Sequence, residues 1–460
     1  MNKNQVNNLD SQNVPGEKAL FVFSPFDLSG IRGYFDSLLD VKIASAEANF
    51  AISSIDVTTK NRIIKACHYL RGAKPLRLDS IALSSEINSA INALISEATG
   101  VDGNVPVPHE IVNLNQADFD SVFTAQELTI QRLLPKTISS AKEMVNLLES
   151  KSLEFQECYR VGRVGLKDRA PMSFAQTFLG WSNLIKRHTE RLKKEVKDFR
   201  ICICGYGEIG TGLGVQLGFR EKVKEFLNKL DDADFDTTQP AAGQIFDVYQ
   251  NNDRFSSLLS CVNLLTLGAG KISNDLYVFS SGPRTGFKDF VLPAIAPGSS
   301  IMPGKLNPLM PELLLQIMQS TAGNNALSIS ILNDSSLDVA NINSASFSGL
   351  CESLELVARG FSQFNNLCLR GLTVNKDFCS REVERSPSEL LLFSKIYGKD
   401  AAATVYETAL KQDLSCQEAA EKLGYLKREL DKQLFDKAIL TDAQQSALLL
   451  KSFKEAKKCD

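Results

Sequence analysis

Between residues 297 and 312 the chain reads Pro-Gly-Ser-Ser-Ile-Met-Pro-Gly-Lys-Leu-Asn-Pro-Leu-Met-Pro-Glu. Two hydroxyls (Ser299, Ser300), an ammonium (Lys305), an amide (Asn307) and a carboxyl (Glu312) fall within this short stretch. Gly298 and Gly304 open backbone angles closed to other residues, and Pro303 and Pro308 stiffen the path. The loop is thus built to present Ser299, Ser300, Lys305 and Asn307 together around a small anion. As chemistry, the set supplies hydroxyl groups, a cation, an amide and an acid.

Long helices must position such a loop. Leu258, Val262, Leu265, Ala269, Ile272, Leu276 and Phe279 alternate at spacings of four and three, a continuous helical stripe that stops at Ser281-Gly282-Pro283. A second stripe runs through Leu350, Leu354, Val357, Phe361, Phe364 and Cys368, and a third through Phe174, Phe178, Trp181, Ile185 and Leu192. Another helix is expected from Ile130 to Leu148, with Pro135 as a kink. Helices of this length pack side by side as a bundle. Helical patterns also cover residues 40–73 and 84–99, and Asp231-Asp232-Ala233-Asp234 reads as a solvated loop. From about residue 375 the elements shorten. Ser388 is placed to cap one short helix, and Ser415 with Glu418 makes a capping box before another.

Composition narrows the classes of function. With 460 residues, 43% hydrophobic and 23% charged, the chain can bury a large core. A net charge of −3 leaves no basic surplus for nucleic acid or a membrane surface. No leader-like apolar run opens the sequence, so a cytoplasmic location is expected. The ten cysteines lack Cys-x-x-Cys pairing and only His68, His109 and His188 accompany them, so neither a disulfide framework nor a metal site is expected. Cys202 and Cys204 read as buried small residues, and His188 as a solvated one.

The 297–308 loop resembles the signature loop of the fumarase/aspartase superfamily, in the Met-Pro-Gly-Lys form of class II fumarases and aspartate ammonia-lyases. Lys271-Ile272-Ser273-Asn274-Asp275 followed by Ser281-Gly282-Pro283-Arg284 is similar to the family's approach to that loop. Glu208-Ile209-Gly210-Thr211-Gly212-Leu213 resembles its Gly-Thr-Gly-Leu turn, Gly162-Arg163 with Leu166 and Asp168 a further block, and Glu384-Arg385-Ser386, more loosely, the entry to its C-terminal domain.

The resemblance implies an all-α, three-domain fold with a central bundle of five long helices: an N-terminal helical domain (1–110), the bundle (111–374) and a small C-terminal helical domain (375–460). It implies a homotetramer whose active sites are shared between subunits, acting without a cofactor on a small carboxylate. The implied reaction is anti β-elimination from an aspartate-like or N-substituted succinyl substrate to release fumarate or an analogue. Ser299 would be the base, Lys305 and Asn307 the carboxylate pair, Glu312 the acid beside the leaving group, with Ser300 and Thr211 as further substrate contacts.

Departures from the pattern bear on the substrate. Where the family reads Gly-Arg-Thr-His-Leu-Gln-Asp, this chain has Gly162-Arg163-Val164-Gly165-Leu166-Lys167-Asp168, so the Thr-His pair is gone. Lys167 or Arg169 is the candidate to replace the lost contacts. After Val112-Asn113-Leu114-Asn115-Gln116, the family's hydroxyl-rich Ser-Ser-Asn-Asp becomes Ala117-Asp118-Phe119-Asp120. Asp118 would repel a carboxylate and attract an ammonium or guanidinium. A catalytically silent scaffold or binding protein, or a class II fumarate hydratase, are the alternatives these losses leave.

Overall fold

In the computed structural model, the residues described are 33–73, 84–101, 103–282, 284–296, 298, 301–302, 304–332, 337–340 and 344–459. The fold is helical, and five long helices dominate it: Asp118–Glu154, Phe174–Glu195, Asp253–Phe279, Leu309–Ser330 and Ser344–Leu367. The expected stripes are buried. Leu258, Val262, Leu265, Ile272 and Leu276 on one helix, and Leu350, Leu354, Val357, Phe361 and Phe364 on another, are all fully enclosed. Each such side chain contributes about 1.5–3 kcal/mol by leaving water. Asp253–Phe279 is long and apolar enough to cross a membrane by length and composition, yet 61% of its most apolar stretch is buried inside the protein.

The helix expected over 130–148 proves to be the middle of the 37-residue Asp118–Glu154 helix, which carries Pro135 inside it. The pattern over 40–73 divides into Tyr34–Ala51 and Val57–Ala73. Ser53, at φ 61°, turns the chain between them. Asp56 then restarts the helix by accepting the Thr59 N–H at 2.7 Å.

The residues cluster into two compact units. The first comprises the described residues up to Ser139, those of His188–Leu267 and those of Ile317–Arg359. Its core includes the edge-on ring contacts of Tyr34 with Phe347 and of Phe123 with Tyr249. His188, expected in solvent, is buried at 7% exposure, because its helix turns that side inward together with Thr189 and Leu192.

The second unit comprises Ser140–Arg187 and the described residues of 268–316 and 360–459. Phe290 lies at the centre of a ring cluster with Phe174, Phe178, Trp181 and Phe279. The block at 162–168 forms an antiparallel hairpin of Tyr159–Val164 and Lys167–Ser173, with Val164 opposite Lys167. Gly165 and Leu166 turn it with φ of 56° and 61°. This strand pair was not foreseen. Its short runs carry no clear alternation, because one strand is buried over its middle while most of the other is exposed. A separate core near the C-terminus gathers Leu390, Phe393, Val405, Cys416, Leu434 and Phe453. There Ser415 and Glu418 make the expected capping box. Ser388 does not cap its helix: Ser386 does, accepting the Ser388 N–H, since Pro387 already occupies the first helical position.

Candidate active site

In the second unit the loop before Leu309–Ser330 is folded back on itself. A β-carbon on Gly298 would meet the Lys305 carbonyl oxygen at 2.8 Å, so the two backbones are as close as glycine allows. Gly304 takes φ 81°, and the Lys305 N–H closes a turn onto the Met302 carbonyl at 3.3 Å. Lys305 and Asn307 are exposed, and Glu312 is half-buried in the first helical turn. Ser299 and Ser300 lie outside the described residues. Ile301 is 87% exposed and Leu306 54%, unusual for large apolar side chains. The cleft beside Asn307, walled by Pro293, Ile295, Met310 and Leu367, encloses only ≈ 10 Å³. That is about one water molecule, far short of a dicarboxylate.

The hairpin is anchored to the segment leading into this loop. Asp289, fully buried, accepts from Arg160 Nε at 3.0 Å and from Arg163 Nη1 at 2.6 Å. Arg160 stacks on Phe279 and Arg163 on Phe287. Burial lowers the Arg160 guanidinium, and Asp289 opposes that shift. Lys167 is exposed near the hairpin turn, as are Val164 and Gly165, which stand where the family pattern has Thr and His. Asp168 accepts a hydrogen bond from Ser386 at 2.8 Å, joining the hairpin to the Glu384-Arg385-Ser386 segment. The sequence reading missed Asp289. Its signal was an acid between two aromatics, in Phe287-Lys288-Asp289-Phe290.

In the first unit, two blocks separated by some ninety residues meet through Asp120. Its buried carboxylate accepts the N–H groups of Ala117 at 2.9 Å, Gly205 at 2.8 Å and Gly207 at 3.2 Å. Burial still pushes the Asp120 carboxyl up to about 7 against those three donors. Gly205, Gly207, Gly210 and Gly212 all have positive φ, and the Gly212 N–H closes onto the Tyr206 carbonyl at 2.7 Å. Tyr249 Oη donates to the Gly207 carbonyl at 2.6 Å. This loop exposes Thr211 and Glu208. Partial burial and the nearby Asp118 raise the Glu208 carboxyl.

Asp118 sits half-buried in the first turn of its helix and accepts from Asn88 Nδ2 at 2.9 Å. Beneath it lies Lys42, 1% exposed, bonded to Asn88, Asn113 and Gln116. None of these four was singled out from sequence as a functional residue. A lysine inside Leu38-Leu39-Asp40-Val41-Lys42-Ile43 was the available signal. Among the described residues no group of three His, Cys, Asp or Glu side chains stands ready to hold a metal ion.

A helical bundle carrying a Gly/Pro loop with a lysine, an amide and an acid, and a second glycine loop tied to a helix entry, defines a lyase of the fumarase/aspartase type. The family model described as Lyase matches residues 35–323, and the chain belongs to that family, within the fumarase/aspartase superfamily. It is 29% identical to an aspartate ammonia-lyase from Bacillus sp over 88% of this chain and 89% of the relative. It is 28% identical to a class II fumarate hydratase from Chlamydia caviae over 85% and 87%. Among solved structures, a fumarate lyase:delta crystallin from Brucella melitensis superposes with a TM-score of 0.80, covering 96% of this chain and 95% of that one at 23% identity. A class II fumarase from Schistosoma mansoni gives 0.78, covering 93% of each at 24%.

Proposed function

We propose that this lyase catalyses anti β-elimination from an aspartate-like or N-substituted succinyl substrate, releasing fumarate or an analogue. The observation that carries the reading is the contact of Gly298 with the Lys305 carbonyl. It folds one loop so that Gly298 neighbours the segment bearing Lys305 and Asn307. Ser299 removes the proton beside the retained carboxylate, which Lys305, Asn307 and Ser300 hold. The doubly charged enolate that results needs fixed positive charge and donors, each worth about 3 kcal/mol in the transition state. Glu312 serves the leaving group on the next carbon, and Thr211, Lys167 and Asp118 complete the substrate contacts.

The cleft beside Asn307, among the described residues, is too small for such a substrate, and Ile301 and Leu306 stand exposed near it. Both features suit an assembly in which each site draws groups from several copies, which we take to be a homotetramer; the cytoplasmic location and the three domains read from sequence belong to the same proposal and rest on the sequence and its family resemblance alone.

The test is fumarate release from aspartate, N-substituted aspartates, argininosuccinate and malate. Turnover of an amine-bearing compound that Ser299→Ala abolishes supports the reading; silence across the panel, or unchanged activity in that variant, overturns it. One observation favours a second reading. Val164 and Gly165 fill an exposed hairpin turn where the family has its Thr-His pair, which suits a silent scaffold that binds a dicarboxylate without turnover. Release from malate alone would instead indicate a fumarate hydratase.

A further inference from the structure

Lys42 has no part in the reaction as outlined, yet its surroundings are specific. Its ammonium donates to Asn88 Oδ1 at 2.7 Å and to Asn113 Oδ1 and Gln116 Oε1 at 3.0 Å each. Three donors meet three acceptors. An amide whose oxygen faces a cation must turn its amino end away, so one charge sets the polarity of all three amides. For Asn88 the outward amino end reaches Asp118 Oδ1 at 2.9 Å and Asn113 Oδ1 at 3.2 Å, while its oxygen also accepts from Ser121 Oγ at 3.0 Å.

We propose that Lys42 is a positioning residue: through Asn88 it holds the Asp118 carboxylate to receive a cationic group carried on the substrate's leaving amine, an ammonium or guanidinium beyond the departing nitrogen. The inference rests on the elimination reading and names the substrate class within it. A carboxylate that takes one N–H keeps lone pairs for a ligand. Asp118 is half-buried rather than enclosed, so a ligand can reach it. With Glu208 close enough to feel its charge, a second carboxylate on the substrate is repelled at this end and a cation is favoured.

The relay is sensitive to pH. Burial brings the Lys42 ammonium down to about 8, opposed by the groups that face it, Cys204, Asp120, Cys67 and Asp118. Above that pH the three amide oxygens no longer converge on a cation, Asn88 is free to turn over, and Asp118 loses its donor.

The experiment compares N-propylaspartate with N-(3-guanidinopropyl)aspartate, whose guanidinium stays charged throughout. Values of kcat and KM are measured from about pH 6.5 to 9.5 for the full-length protein, Lys42→Met and Asp118→Asn. The expected result is a KM about tenfold lower for the guanidino compound near pH 7, lost above about pH 8 with little change in kcat. Both variants should lack that preference at every pH. A KM ratio that is flat with pH in the unmodified protein, or preserved in Lys42→Met, overturns the inference. A merely structural lysine would lower the amount of folded protein without changing the ratio. Should Lys42→Met fail to fold, the unmodified profile and Asp118→Asn decide.

Turnover of neither compound counts against the elimination reading, not this one. Equilibrium binding of the same pair by calorimetry then reads the inference directly. Tighter binding of the guanidino compound that disappears at high pH supports it, and equal affinity overturns it.

Discussion

Gly298 and Lys305 touch through their backbones: a β-carbon at position 298 would stand 2.8 Å from the Lys305 carbonyl oxygen. That contact sets the shape of the loop, so adding one methyl group should open it. Gly298→Ala is expected to cost about 1–3 kcal/mol locally and to lower kcat/KM by about tenfold or more. The thermal midpoint should barely change, because the loop is exposed. Kinetics beside a melting curve checks this, and a variant with full activity would mean the loop can rearrange freely.

Lys305 is exposed and outside every ion pair among the described residues, as befits a cation awaiting an anion. Lys305→Ala should raise KM for every carboxylate substrate and lower kcat, reducing kcat/KM by about 10²-fold or more, with stability unchanged. Lys305→Arg should recover part of the binding but less of the rate, since a planar fork replaces a point charge. Steady-state kinetics of the two variants tests the order.

Asp289 is the carboxylate shared by two largely buried guanidiniums, so its removal acts on folding rather than on chemistry. Asp289→Ala leaves Arg160 and Arg163 without their shared carboxylate and should destabilise the protein by about 3–5 kcal/mol. Asp289→Asn, which retains an acceptor, should cost less. Urea unfolding of the two variants measures the difference; an unperturbed midpoint in Asp289→Ala would show that the cluster carries no stability.

Glu389 gives a pH dependence whose sign is fixed. It is 1% exposed, one of its oxygens lacks a partner, and burial with the nearby Glu384 pushes its carboxyl up to about 8. The folded state therefore holds a proton that the unfolded state releases near the ordinary carboxyl value. Stability is fully present below that value and is lost as pH rises through about 8. Melting temperature should fall across this window, and Glu389→Gln should flatten part of the fall. Asp120 and Glu127, both raised to about 7, act in the same direction and remain in the variant. Scanning calorimetry at several pH values checks it; parallel curves would be evidence against a role for Glu389.

Much of the frame was legible in the chain itself. The stripe from Leu258 to Phe279 and that from Leu350 to Cys368 report burial through spacing, because a helix repeats its inward face every three to four residues. The 297–308 loop could be recognised because glycine, proline and charged residues there are restricted by local backbone geometry. His188 was misread because one polar residue at the margin of an apolar face gives no periodic signal. The hairpin of Tyr159–Val164 with Lys167–Ser173 was missed because its pairing is set by a turn and partial burial rather than by alternation.

What the sequence determined by itself was local: which segments coil, where they stop, and which loop gathers hydroxyls, a cation, an amide and an acid. Tertiary structure alone decided that Lys42 meets Asn88, Asn113 and Gln116, that Asp120 ties the helix entry to the Gly205–Gly207 turn, and that Asp289 joins Arg160 to Arg163. The physical reason is distance along the chain. A buried charge is stable only beside partners that satisfy it, and those partners come from segments tens to more than a hundred residues away, whose meeting no local pattern encodes.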